Sequence, residues 1–314
     1  MVKSHYKYIY DELVAILSKE NVSINKELHT HTYTRLGGTA DFFVTPNNYE
    51  QVQQIVRFVR KENIPFTLLG NGSNLIIKDG GIRGVVMSLT NLAHIQTDGT
   101  TIVAESGARI IDVSRAALRH HLTGLEFACG IPGSVGGALY MNAGAYGGEI
   151  KDVLHSTIVV DRQGNLQNLL ADQLDLAYRT SNIADNEYIV LAATFHLQQG
   201  DYESIKAVMD DLTFKRESKQ PLEYPSCGSV FKRPPGYYAG KLIQDSGLQG
   251  TRVGGAEVSL KHAGFIINRD NATAKDYIDL IHHVQKTVKE KFGVALEREV
   301  KIIGENSAEK VVIE

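Results

Sequence analysis

Two glycine clusters carry the strongest chemical signal in this chain of 314 residues. In the first, LLGNGSNLII at 68–77, a short apolar run from Leu69 leads straight into Gly70, Asn71, Gly72, Ser73 and Asn74. Glycines and a small hydroxyl directly after a strand let successive backbone N–H groups converge on an anion. The cluster is neither common phosphate loop. The dinucleotide fingerprint needs a third glycine where Leu75 stands, and the P-loop needs a Gly-Lys-Ser/Thr. Taken alone, a plain strand-to-turn connection explains it equally well.

The second cluster, ACGIPGSVGGALYMNAGAYGG at 128–148, holds seven glycines and four alanines. Pro132 fixes one turn, and the small residues after it suit a helix start facing a diphosphate. A buried hairpin of small residues is the competing explanation. So many glycines cost conformational entropy at every position, however, which favours a bulky ligand close to the backbone. Two separated nests point to an extended anionic cofactor, lying along the chain as a dinucleotide does. Histidine carries less. The pairs His29/His31, His120/His121 and His282/His283 have no carboxylate spaced to complete a metal site, so no metal is expected. Cys129 and Cys227 stand alone without CxxC spacing, which fits a reducing compartment and no disulfide framework.

The elements that must position these residues follow from periodicity. A short amphipathic helix is expected over 11–20, and a clearer one over 49–62, where Val52, Ile55, Val56 and Val59 share a face. Strands are expected at 66–69, 84–89 and 101–104, and a helix at 110–121. From Val153 the pattern changes to a hairpin, 155–161 and 165–170, turned at Arg162-Gln163-Gly164. A long apolar strand follows at 188–197, then a helix at 202–219 that ends before Pro221. The tail reads as short elements at 239–246 and 264–268, a long helix over 273–292 and a last strand over 298–303. The class is α+β, with a boundary near 200–220 and a catalytic cleft expected between the parts.

Composition agrees. Hydrophobic residues make up 43% and charged residues 22%, with a formal net charge of −3. That balance suits a folded chain of about two domains and gives no electrostatic case for nucleic acid or an anionic membrane. No segment approaches the ~18 apolar residues of a spanning helix, and the N-terminus lacks a signal peptide's apolar stretch, so a cytoplasmic location is expected.

Taken together, GNGSN (70–74), GIPGSVGGA (130–138), MNAGAYG (141–147), YRTS (178–181), PSCGSVFKRP (225–234), HAGFIIN (262–268) and LEREVKIIG (296–304) resemble the UDP-N-acetylenolpyruvoylglucosamine reductases. The likeness runs from about Thr32 to Gly304, and the compact tail is similar to the shorter, second type of that family. It implies a vanillyl-alcohol-oxidase/PCMH-type FAD-binding fold followed by a smaller α+β substrate-binding domain. The implied division is an N-terminal helical segment at 1–32, an FAD-binding domain of two α+β lobes at 33–200 and the substrate domain at 201–314.

It also implies the chemistry: NADPH reduces non-covalent FAD, and UDP-GlcNAc-enolpyruvate is then reduced to UDP-N-acetylmuramate for peptidoglycan. By the same resemblance Arg179 faces the substrate carboxylate and Ser229 donates the proton. Alternation along the last strand puts Glu297 and Glu299 on one face, and the family's L-x-x-E-V pattern selects Glu299 as the third catalytic residue. The implied cofactor contacts are Leu69, Gly70, Asn71, Gly72, Ser73, Asn74, Gly130, Ile131, Pro132, Gly133, Ser134, Gly136, Gly137, Ala138, Asn142, Gly144 and Ala145. The substrate-side candidates are Tyr178, Arg216, Lys219, Lys232, Arg233, Lys241 and His262. Arg233 stands where the family typically carries asparagine. A small-molecule substrate is the expected partner, and the protein is expected to be a monomer or weak oligomer. Two other readings are an oxidase of the same flavin fold, for which Cys129 is the only thiol available for a covalent bond, and a silent nucleotide-sugar binder.

Overall fold

The computed structural model describes residues 2–307, so the last seven residues of the expected tail lie outside the described residues. The chain packs as two compact units, each discontinuous in sequence. The first takes 1–24, 42–71 and 84–216; the second takes 25–41, 72–83 and 217–314.

In the first unit, α1 (Val2–Leu17) and α2 (Tyr49–Lys61) pack with the 22–24, 42–44, 84–88 and 66–69 parts of a four-stranded sheet ordered Val22–Glu27, Thr39–Val44, Ile82–Ser88, Phe66–Leu69. Leu13, Leu17, Phe42, Val52, Ile55 and Met87 fill the core between them. Asn48 caps α2 by accepting the Gln51 N–H, the side-chain capping that asparagine favours. A five-stranded antiparallel sheet follows, ordered Leu166–Leu170, Leu154–Val160, Ile189–His196, Thr101–Glu105, Ile95–Asp98. The helices α3 (Ile110–Arg119) and α4 (Val135–Tyr140) share its core, where Ile102, Val113, Leu139 and Phe195 are fully enclosed.

The expected N-terminal helix over 11–20 is longer and earlier. Tyr6 lies tilted against Phe42, ring centroids 4.3 Å apart, and Ile9 is buried, so an aromatic-rich run that reads as polar belongs to the buried stripe. Nor is 1–32 helical throughout: Val22–Glu27 is a strand of the sheet.

The second unit is built on α7 (Ala274–Phe292), which packs with α6 (Ala239–Asp245) on an antiparallel sheet ordered Ser226–Ser229, Phe265–Asn268, Ala256–Val258, Arg252–Val253. Helix α5 (Tyr202–Lys219) belongs to the first unit up to Arg216 and to the second from Glu217. The last strand is Lys301–Ile303, shorter than expected, and it pairs in parallel with Leu75–Ile77. That pairing explains why 72–83 packs with the tail, whereas a linear division near 200–220 keeps it with the first half.

A second tie is electrostatic. Thr273 and Asp276 form a capping box at the start of α7, and the Asp79 carboxylate accepts the next two amides, Ala274 N–H at 2.8 Å and Lys275 N–H at 3.0 Å. Negative charge on these orphan donors stabilises a helix N-terminus. Asp79→Ala is expected to lower the unfolding free energy by about 1–2 kcal/mol, measured by urea denaturation. A change within a few tenths of a kcal/mol would mean that water replaces the carboxylate at no loss.

Candidate active site

The two glycine clusters are neighbours. Asn71 donates its side-chain N–H to the Pro132 carbonyl at 2.7 Å, and a Cβ placed on Gly70 would lie 3.1 Å from the Ser134 hydroxyl. Leu69, ending its strand, is buried and anchors the loop from below. In the second cluster Gly133 accepts the Ile110 N–H and Gly136 donates to Ser106, so the loop is laced to the start of α3. Ser134 caps α4, accepting the Gly137 N–H at 3.3 Å. Ala138 turns into the core, while Gly70 and Gly137 are exposed and Gly130, Ile131 and Pro132 are half-buried.

Part of the glycine enrichment is packing. A Cβ on Gly136 would meet the Ser106 hydroxyl at 2.1 Å, and one on Gly130 would meet Arg216 at 2.6 Å. Those contacts do not involve the exposed edge. The backbone there, bare of side chains at Gly70 and Gly137 and continuous through the Asn71–Pro132 clip, fits the flat approach that an extended dinucleotide requires.

At the end of the second cluster, Asn142 is fully buried and its amide is spent within the protein. It donates to Glu149 at 2.9 Å and to the Ala177 carbonyl at 3.0 Å, and it accepts the Lys151 N–H. Gly144-Ala145 pairs with Gly148-Glu149 in a two-residue hairpin. Arg179 donates to the Gly144 carbonyl at 2.8 Å and lies over the Tyr178 ring at 5.2 Å. Its backbone is left-handed, φ +56°, and the Ala177 and Thr180 backbones bond each other around it. A non-glycine residue in that region carries strain, the kind of strain found at functional sites. Both Arg179 and Asn142 therefore tie the 177–180 turn to the hairpin.

In the second unit, Gly72 (φ +65°) lies so close to the chain that a Cβ would sit 2.2 Å from the His31 carbonyl, and its own carbonyl accepts the Tyr33 N–H. Ser73 is half-buried. Asn74 accepts the Lys301 N–H and donates to the Glu299 carbonyl at 3.3 Å.

Ser229 and Glu299 meet through one backbone residue. Val230, which follows Ser229 and is fully buried, donates its N–H to Gly264 at 3.0 Å and accepts the Glu299 N–H at 2.9 Å. Gly264 in turn donates to His262 Nδ1 at 3.1 Å. Burial pushes the His262 pKa down, so the ring is neutral at pH 7. With Nδ1 accepting, the ring proton sits on Nε2. Cys227 is buried in contact with Tyr277, whose hydroxyl donates to the Ile266 carbonyl. Burial pushes the Cys227 thiol up to about 12, and the Glu299 charge adds to the rise. It is no nucleophile at neutral pH.

Alternation does not govern Glu297 and Glu299, because the regular strand begins only at Lys301. An irregular stretch precedes it, joined to the sheet by the Phe231–Arg298 bridge. Glu297 is exposed and holds Lys232 at 2.6 Å, whereas Glu299 is half-buried.

The remaining cations are dispersed. Lys241 pairs with Asp245 at 2.5 Å, and Arg233 lies over the Tyr238 ring at 4.0 Å and donates to the Tyr237 carbonyl. Lys219 is exposed at the end of α5, and Arg216 covers Gly130 in the first unit. Sequence reasoning missed Tyr277 under Cys227, and Gly228 before Ser229. The signal for Gly228 was present: an isolated glycine inside a strand-like run marks a bulge.

Known proteins resemble this chain over nearly its whole length. Residues 40–170 match an FAD binding domain, and residues 220–303 match the C-terminal domain of UDP-N-acetylenolpyruvoylglucosamine reductase. The chain is 67% identical to the UDP-N-acetylenolpyruvoylglucosamine reductase of Oceanobacillus iheyensis over 309 residues, covering 98% of this chain and all of that one. With the reductase of Geobacillus thermodenitrificans the identity is 64%, over 95% of this chain and 98% of the other. The crystal structure of the reductase from Thermus caldophilus superposes with a TM-score of 0.77 at 32% identity, covering 90% of this chain and 97% of that one. Likeness of this extent makes the chain a member of the UDP-N-acetylenolpyruvoylglucosamine reductase family.

Proposed function

We infer that this protein catalyses the NADPH-dependent reduction of UDP-N-acetylglucosamine enolpyruvate to UDP-N-acetylmuramate, a step in making peptidoglycan precursors. The observation that carries this reading is the registry of Ser229 and Glu299 about the buried Val230 backbone, within a family defined by that reaction. Bound FAD would supply, from NADPH, the hydride needed at the terminal vinyl carbon of the substrate.

The protein's own groups handle the rest. Hydride addition leaves an electron pair on the carbon bearing the substrate carboxylate. Arg179 faces that carboxylate, and its planar fork, steadied by Gly144 and Tyr178, stabilises the charge as it builds. Ser229, exposed at the end of its strand, passes its hydroxyl proton to the carbanion. A hydroxyl is a weak acid, so the transfer works only against a strong carbon base at close range. Glu299, half-buried and fixed by its backbone, polarises the substrate or completes the proton relay.

The exposed glycine edge, with Asn71 and Ser134, would hold the cofactor's diphosphate without a covalent bond. Leu69, Ala138 and Asn142 shape the loops from within. Tyr178, Arg216, Lys219, Lys232, Arg233, Lys241 and His262 are the candidates for the nucleotide sugar. Lys232 and Lys241 sit in exposed ion pairs, which contribute little and exchange readily for a phosphate. Among the described residues no helix is long and apolar enough to cross a membrane. A monomeric or weakly associating enzyme of the cytoplasm, where NADPH and UDP-sugars are held, fits the reading.

An oxidase with covalently attached flavin is disfavoured by one observation. Cys129 is buried, its sulfur lies 3.7 Å from the Met209 carbonyl and from the Thr213 hydroxyl, and burial pushes its pKa up.

Anaerobic absorption spectroscopy tests the whole reading: NADPH bleaches the flavin, and only the enolpyruvyl sugar restores the colour. Recovery only on admitting air would put the oxidase in its place. Ser229→Ala should slow the substrate-driven return of colour by about 10²-fold or more, while bleaching by NADPH proceeds. Equal loss in both half-reactions would make Ser229 structural. Glu299→Gln should lower kcat by roughly 10²-fold in a protein that still purifies yellow, and a colourless product would contradict a catalytic role.

A further inference from the structure

Ser229 has the wrong parity for an exposed residue. Alternate residues of a strand point to opposite faces, and Cys227, two positions earlier, is buried in the core with Val258 and Tyr277. By alternation Ser229 belongs on that buried face and Val230 on the other. The reverse is found: Ser229 is exposed, and Val230 lies in the same core as Cys227. The register shows why. Ser226 is opposite Ile267, but Ser229 is opposite Phe265, so three steps on one strand match two on its neighbour. One residue is extra.

That residue is Gly228, at φ +74°, the left-handed conformation that the leading residue of a glycine bulge adopts. A Cβ there would find nothing within 4 Å, so conformation rather than space selects glycine. The bulge is pinned on both sides. Cys227 is held in the core by Tyr277, and Val230 is held through Gly264 and Glu299. The extra residue therefore cannot slide along the strand, and its effect falls on Ser229.

We propose that Gly228 is a positioning residue, whose single-residue bulge turns the Ser229 hydroxyl from the core face to the exposed face, where the substrate carbanion is protonated. The inference rests on the reading of Ser229 as proton donor. A side chain at 228 favours negative φ, flattens the bulge and returns Ser229 toward the face of Cys227.

Orientation can be read without catalysis. In the FAD-loaded S229C protein, a water-soluble aromatic disulfide labels the new thiol against a low background, because Cys129 and Cys227 are buried. Adding Gly228→Ala should slow that labelling at least about tenfold, whereas Gly228→Asn, which tolerates the left-handed region, should stay within about threefold. With Ser229 in place, Gly228→Ala should slow the substrate-driven half-reaction more than reduction by NADPH, and Gly228→Asn should recover most of the loss. Should Gly228→Ala fail to fold, Gly228→Ser carries the same comparison. Labelling unchanged by Gly228→Ala, or slowed equally by alanine and asparagine, overturns the proposal. A Ser229→Ala enzyme that keeps its full rate overturns the proton-donor reading alone, and the labelling result still judges the bulge.

Discussion

One peptide position fixes Ser229 and Glu299 in the second unit. The backbone of Val230 gives its N–H to Gly264 and takes the N–H of Glu299, both in a fully buried setting. Buried backbone groups must be paired, and a lost partner costs more than an ordinary hydrogen bond supplies. Ser229 precedes this residue and Glu299 follows from it, so neither can shift without unpairing a buried amide. The placement of both side chains is therefore a property of the backbone, reinforced through His262 behind Gly264.

The first unit works by a different device. There the position of Arg179 depends on a strained turn held from two directions, by its own contact with Gly144 and by Asn142 reaching Ala177. Asn142 thus matters although it is fully enclosed. It converts the flexible MNAGAYG stretch into a rigid hairpin that presents a carbonyl to the arginine. A guanidinium held in this way is preorganised and needs no rearrangement to present its charge.

Much of this was legible in the sequence, for reasons that can be stated. The end of α5 follows from Pro221, and the 154–170 hairpin from the turn residues Arg162-Gln163-Gly164, while the expected 273–292 helix matches α7. The glycine clusters were visible as composition, but the split between packing at Gly136 and an open edge at Gly137 depends on Ser106, distant in sequence. Alternation sets Glu297 and Glu299 on one face and so cannot choose between them, and the regular strand begins only after both. What separates them is Lys232, which takes Glu297 into an exposed pair. Asp79 at the start of α7 lies beyond any local pattern, as does the discontinuity of the two units.

The parallel pairing of Leu75–Ile77 with Lys301–Ile303 has a consequence for how the protein is made. Parallel strands drawn from opposite ends of a chain require a long loop to close before any contact rewards it. During synthesis the 25–41 and 72–83 segments emerge early, yet their partners belong to the last part translated. These early segments of the second unit stay unpaired, with apolar residues such as Leu36 and Ile76 awaiting the tail they pack against. A ribosome that stalls before residue 301 leaves that surface open, which makes the truncated chain a substrate for chaperones rather than a partly active enzyme.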